Sequence, residues 1–202
     1  GLIVKVTSKP HTILIYMKKW EDNMDKTERI VLGSGKLYCK EFDGEIPENT
    51  AIETEENRLG YIQGGATIEY KPNFYTAKDD LGLVQKDIIT EEESTFKTGI
   101  LTFNGKTLEK LCSTARVTES AGVRTVKVGG IQNNNGKKYL IHFHHEDKKD
   151  GDIRVTIVGK NESGFSLAFA KDKETVVDAE FKCHPQDDEG TLIKYQEEIT
   201  TE

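Results

Sequence analysis

Along most of the chain, apolar residues recur at every second position in short runs bounded by Gly, Asn, Asp and Pro, which is the period of half-buried β-strands. Residues 65–70 and 74–78 read as strands around a turn at Lys71-Pro72-Asn73. Residues 83–90 and 94–103 form a long extended path, interrupted at Glu91-Glu92-Glu93. Residues 123–128 lead through Gly129-Gly130 and Asn133-Asn134-Asn135-Gly136 into a strand over 137–147, and Asn-Gly suits the positive φ angles of a tight turn. Lys148-Lys149-Asp150-Gly151 then turns the chain into 152–160. On the first arm Tyr139, Ile141 and Phe143 share one face, with Lys138, His142, His144 and Glu146 on the other. On the second, Ile153, Val155 and Ile157 oppose Arg154 and Thr156, so one face is expected on a core and the other in water. Residues 165–170 and 175–182 form a further expected hairpin, and 191–195 a last strand. The one substantial helix is predicted over 105–112, with Asn104 as N-cap and Leu108, Leu111 and Cys112 on one face. Many short antiparallel strands with one helix predict a mainly β fold: an antiparallel β-sandwich or partial barrel flanked by that helix.

Residues 1–32 are patterned differently. Two short β-rich runs, 2–6 and 12–17, are split by Ser8-Lys9-Pro10, and 20–26 is charged without a period. Trp20-Glu21-Asp22-Asn23-Met24 back-translates to a purine-rich GGGAGG shortly before an ATG, the layout of a bacterial ribosome-binding site. Translation is therefore expected to start at Met24. The expected organisation is an extension over 1–32 and one domain over 33–202, a length that can bury its own core. Gly1 to Thr7 carry no apolar core leading to a small-residue cleavage site, so no signal peptide is expected.

Composition narrows the function. The net charge is −7 at pH 7, which disfavours tight binding to phosphate backbones. No apolar run approaches the roughly 20 residues of a membrane span. Cys39, Cys112 and Cys183 are far apart and odd in number, which argues against a disulfide framework or a zinc ribbon.

Motifs that carry chemistry are sparse. Gly33-Ser34-Gly35-Lys36 lacks the earlier glycine and the following Ser/Thr of a phosphate loop. His142, His144 and His145 beside Glu146 and Asp147 form the most ligand-like cluster, yet nothing marks a third zinc ligand. The acidic turns at Asp147–Asp152 and Asp187–Gly190 lack the oxygen spacing of a calcium loop. Glu91, Glu92 and Glu93 are adjacent on a strand and face alternate ways, which does not suit a glycosidase pair. There is no serine nucleophile elbow and no arguable Cys–His pairing. The expectation is no catalytic residue, no cofactor and no metal. Long amphipathic hairpins point instead toward assembly, since several subunits can share one barrel.

A series of segments carries a resemblance: Gly35-Lys36-Leu37-Tyr38, the stretch from Gly60-Tyr61-Ile62-Gln63-Gly64-Gly65-Ala66-Thr67 to Lys71-Pro72, and Asp79-Asp80-Leu81-Gly82. Ile89-Thr90-Glu91-Glu92-Glu93, Lys97-Thr98-Gly99-Ile100-Leu101 and the helix around Leu108 and Leu111 follow. Phe165-Ser166-Leu167-Ala168-Phe169, Asp172-Lys173-Glu174-Thr175 and Ala179-Glu180-Phe181-Lys182 complete it. In this order they resemble the tail tube (major tail) proteins of tailed bacteriophages and prophages of Gram-positive bacteria. The resemblance implies a structural protein of the virion tail, made in the host cytoplasm, without catalysis and without a membrane partner. It implies hexameric rings stacked into a tube around a tape-measure protein, bounded by tail terminator and baseplate proteins, with DNA later passing the lumen unbound. Six copies would carry a charge of about −42, which repels phosphates. Hairpins 83–103 and 137–158 are the lumen candidates. Glu91, Glu93, His142, His144 and Glu146 are the candidate lumen or subunit-contact positions, and 43–62 the candidate loop toward a neighbouring subunit or ring. The alternatives are the inner tube of a contractile injection particle, a carbohydrate- or metal-binding β-sandwich module, and a hydrolase.

Overall fold

The computed structural model of the chain describes residues 33–199. The expectations for 1–32, including the two β-rich runs and the start at Met24, lie outside the described residues. The elements in order are β1 (Lys36–Glu41), α1 (Asn49–Ile52), β2 (Arg58–Gly60), β3 (Ile62–Lys78), β4 (Gln85–Ile100), α2 (Gly105–Leu111), β5 (Arg116–Ser120) and β6 (Val123–Lys127). A 3₁₀ turn (Ile131–Asn133), β7 (Tyr139–His145), β8 (Ile153–Asn161), β9 (Val177–His184) and β10 (Lys194–Glu197) complete them. The fold is mainly β and antiparallel, a sandwich-like body with α2 on its flank. No helix among the described residues is long and apolar enough to cross a membrane.

The main sheet runs β2-β1-β7-β8-β9-β4-β3. Along its second edge β8 divides: Ile153–Thr156 pair with β10, and Val158–Asn161 with β9. The far ends of the order come together through one residue. β2 pairs with β1, β3 pairs with β4, and only Tyr61 separates β2 from β3. Tyr61 O accepts from Leu101 N at 2.7 Å and its N–H donates to Thr102 Oγ1 at 2.7 Å, so the sheet wraps back toward itself. Gly60 makes the wrap feasible: its φ is +136°, and a Cβ there would lie 2.1 Å from the Thr102 carbonyl oxygen.

The wrapped sheet encloses one apolar core. Leu37 and Cys39 of β1, Ile141 of β7, Ile157 of β8, Phe96 and Ile100 of β4, and Val177, Ala179, Phe181 and Cys183 of β9 all point into it. β9 shows the cause, alternating buried and outward positions over its whole length. Phe96 sits at its centre, tilted against Phe143 and Phe181 at centroid distances of 6.4 and 6.5 Å. The helix is bounded as its sequence suggests. The Asn104 side chain accepts from Lys106 N and Thr107 N, and the Thr107 hydroxyl reaches back to Asn104 N, a reciprocal capping box. Lys110 Nζ donates to Cys39 O at 2.9 Å and ties α2 to β1.

Several strand boundaries differ from the sequence expectation. Lys71-Pro72-Asn73 is not a turn; β3 runs straight through it. Pro72 is tolerated because β3 ends the sheet order, so its missing N–H breaks no ladder there. Glu91–Glu93 do not interrupt β4; the irregularity is a register shift beside Phe74 that leaves Thr90 unpaired. The expected hairpin over 83–103 is therefore β3–β4, turning at 79–84. Residues 123–127 pair backward with β5, which the sequence pattern left unassigned, rather than leading into β7. Residues 165–170 are not a strand; Phe165 and Leu167 pack singly on the core edge.

Candidate functional site

The histidine face is the largest correction. His142 is 0% exposed, and His144 and His145 are 6%. They do not meet water or line a channel. The face of β1, β7 and β8 that carries Tyr38, Leu140 and His142 is covered by the segment after β1, where Ile52 is fully buried and Phe42 and Ile46 pack beside it. Much of the 43–62 stretch, expected to reach a neighbour, thus lies on the chain's own sheet.

Glu53, the residue that ends α1, is the centre of this cover. Its carboxylate accepts from His142 Nε2 at 2.9 Å and Arg154 Nε at 2.6 Å, and lies 3.2 Å from His144 Nδ1. His142 Nδ1 meets the Thr156 hydroxyl at 2.8 Å, so Nε2–H donating to Glu53 and the Thr156 O–H donating to Nδ1 satisfy both ring nitrogens. His144 Nε2 reaches Asp152 Oδ2 at 2.7 Å. Arg154 spreads its remaining N–H groups over Asp152 at 3.3 Å and Glu198 at 2.8 Å. Cross-strand register makes this possible, because His142 faces Thr156 and His144 faces Arg154. Burial works to raise the Glu53 carboxyl, but the bonds from Arg154 and His142 and the nearby His144 outweigh it and hold it below its ordinary value. Burial depresses His142, which Glu53 only partly offsets. Asp152 is lowered too: burial opposes this, and the bond from His144 prevails. His142 and His144 are each committed to a carboxylate, whereas His145 Nδ1 donates to the Ser34 carbonyl oxygen at 2.7 Å. Among the described residues no group of three or more His, Cys, Asp or Glu side chains could hold a metal ion. Glu146 is exposed and pairs with Lys36 across β1 and β7.

The other sequence candidates lie far from this cluster. β3 and β4 leave the body as a two-stranded ribbon. Ser94 is the last buried residue of β4 toward the turn, and every residue from Asn73 to Glu93 is exposed. On β4, β9 pairs with Thr95–Ile100, so among the described residues β4 from Gln85 to Ser94 has one free edge. Among the described residues no strand pairs with the outer edge of β3. Glu91 faces Asn73 and Glu93 faces Lys71 on one side of the ribbon, continuing the row that holds Glu69, Lys97 and Glu180. Glu92 is on the opposite side, taking a 2.5 Å bond from the Tyr70 hydroxyl. Farther out, Phe74 with Ile89 and Tyr75 with Ile88 form cross-strand pairs on opposite faces, all between 46% and 61% exposed. Of the five sequence-chosen residues, the structure therefore brings Glu91 and Glu93 together, buries His142 and His144 in a separate network, and leaves Glu146 at its rim. Comparison with protein-family models finds no match to this chain, and comparison with curated proteins finds no significant one.

Proposed function

We propose that the chain is a structural subunit that polymerises through its β3–β4 ribbon into a tube, of the kind its sequence resemblance implies: stacked rings in a virion tail, built around a tape-measure protein and later passed by DNA. One observation carries the reading. Among the described residues the ribbon holds two unpaired edges, β3 on one side and Gln85–Ser94 of β4 on the other. Unpaired N–H and C=O rows of this length are templates for another strand. Around a rotation axis, the β3 edge of one copy meets the β4 edge of the next in antiparallel sense. Repetition then closes a barrel with no edges. Glu91 and Glu93 share one ribbon face, and in such a barrel they would line the lumen with carboxylates, which repel rather than bind DNA. This reading assigns the protein no catalysis and no cofactor.

The test is negative-stain microscopy with light scattering on the full 202-residue chain beside a chain beginning at Met24. Rings or tubes with a central channel are expected from at least one. If both remain monomers at high concentration and the ribbon amides exchange as in an isolated hairpin, the proposal is wrong.

A further inference from the structure

We infer that the turn at the ribbon's end is a preformed knob that seats in a groove at the base of the ribbon of a second copy, displaced along the ribbon axis. The inference rests on the tube reading and specifies one contact within it. The turn is rigid. Asp79 Oδ1 accepts from Val84 N at 2.7 Å, Asp79 N donates to Val84 O at 3.1 Å, and Gly82 N donates to Asp79 O at 3.0 Å. This frame holds out Leu81, Leu83 and Val84, exposed by 79, 81 and 67%. A hairpin turn needs Gly, Asn or Asp for its backbone and has no need of three aliphatic side chains. Grouped on a fixed frame, they mark a contact surface.

The knob cannot reach its own body. From Glu93 to Gln85 the strand advances eight residues, about 26 Å at 3.3 Å per residue, beyond the last buried position. At the opposite end of the same ribbon lies an open groove of about 470 Å³. One wall is a bulge where Gly64 and Gly65 have φ of +80° and +77°, with open space where side chains would stand. Gly164 and Phe165 form the facing wall. Small residues leave room for an inserted aliphatic tip. Charge agrees as well: Lys78 and Lys86 flank the knob, and Asp178 borders the groove beside the ion pair of Lys97 with Glu180. Knob and groove sit at opposite ends of one element, so they can meet only between copies. The contact is head-to-tail, the type that propagates along an axis instead of closing a dimer.

Two measurements test this. Leu83→Cys and Ser163→Cys are made in separate chains, each carrying Cys112→Ser because the other two cysteines are buried. Mixed under mild oxidation, they should form a disulfide-linked pair at least about tenfold faster than Leu83→Cys mixed with Glu119→Cys, through raised effective concentration. Equal rates overturn the inference. In microscopy, Leu81→Asp with Leu83→Asp should give rings that do not stack, and tubes of ordinary length overturn it. If neither the full chain nor the one beginning at Met24 assembles and the ribbon amides exchange as in an isolated hairpin, the tube reading fails, while the cross-linking rates still decide the knob.

Discussion

Replacing Glu53 by Gln isolates the buried clasp. The change keeps the shape of the side chain and removes its charge. Three groups lose a carboxylate partner: Arg154 Nε at 2.6 Å, His142 Nε2 at 2.9 Å and His144 Nδ1 at 3.2 Å. Removing one partner of a fully buried pair costs about 3–5 kcal/mol, and an exposed pair is worth less than about 1. Glu53 and Arg154 are each 15% exposed, so the pair stands nearer the buried case than the exposed one. Arg154, however, keeps Asp152 and Glu198, and the amide oxygen of Gln can still accept one bond. The balance is a loss of about 2 kcal/mol, the worth of one or two bonds to a charged group. For a chain of this size it lowers Tm by roughly 4–8 °C. The pH dependence is the sharper check. The folded-state value of Glu53 is lowered, so its contribution is fully present above the unfolded carboxylate value of about 4.3 and is lost as pH falls through the folded value. Thermal melts of both proteins should differ by a constant amount near neutrality and converge in the acid range. A difference under about 0.5 kcal/mol at pH 7, or one that persists undiminished at acid pH, would refute the assignment of Glu53 as the clasp.

Other sites give simpler readouts. His142 is buried with its folded value depressed, so its contribution is intact above about pH 6.5 and declines as the pH drops below it; His142→Gln should flatten that part of the stability profile in urea titrations. Asn104→Ala removes both N-cap acceptor bonds and should cost about 1 kcal/mol by chemical denaturation. Gly60→Ala places a Cβ against the Thr102 carbonyl at a positive φ and should cost about 2 kcal/mol or more, seen as a lower Tm. With Ellman's reagent, half-buried Cys112 should react first in the native state, while Cys39, its thiol pushed up to about 12 by burial, stays silent until unfolding.

How far the sequence could be read depended on how local each signal was. The capped helix was legible because Asn104 and Thr107 carry their own hydrogen bonds. The inward residues of β9 were legible because a strand buried on one face alternates strictly. β7 is buried on both faces, and there the period-two rule misleads: histidines opposite Tyr139, Ile141 and Phe143 look like a wet face. A contrary signal lay beside them, since Leu140 and Val158 are on that same face with His142 and Thr156. Glu53 could not be found this way. It lies 89 residues from His142 in sequence, and the charged stretch around it reads as loop. The strand through Pro72 was hidden for another reason, because a proline is tolerated on a sheet edge and sequence does not say which strand ends the sheet.

Body and ribbon handle their polar and apolar groups in opposite ways, and that contrast bears on what the ribbon is for. In the body, carboxylates near the core find partners, as Glu53, Asp152 and Glu198 do around one arginine. In the ribbon, cross-strand ties such as the 2.6 Å bond from Thr76 to Asp87 hold the two strands to each other and to nothing else. An isolated two-stranded hairpin is marginal in water. A ribbon kept only for solubility would be polar on both faces, and one lying on a flat surface would be apolar on one. Here Phe74 and Ile89 occupy one face while Tyr75 and Ile88 occupy the other at the same height. Both faces therefore gain from being covered there, whereas nearer the body the face with Glu91, Glu93 and Lys71 is wholly polar. Under the tube reading the ribbon divides along its length: the acidic base supplies the channel surface, and the aromatic band beyond it supplies the apolar area that holds copies together. On that division Glu91 and Glu93 remain the candidate lumen positions, and the exposed band at Phe74 and Tyr75, rather than the buried His142 and His144, becomes the candidate subunit contact.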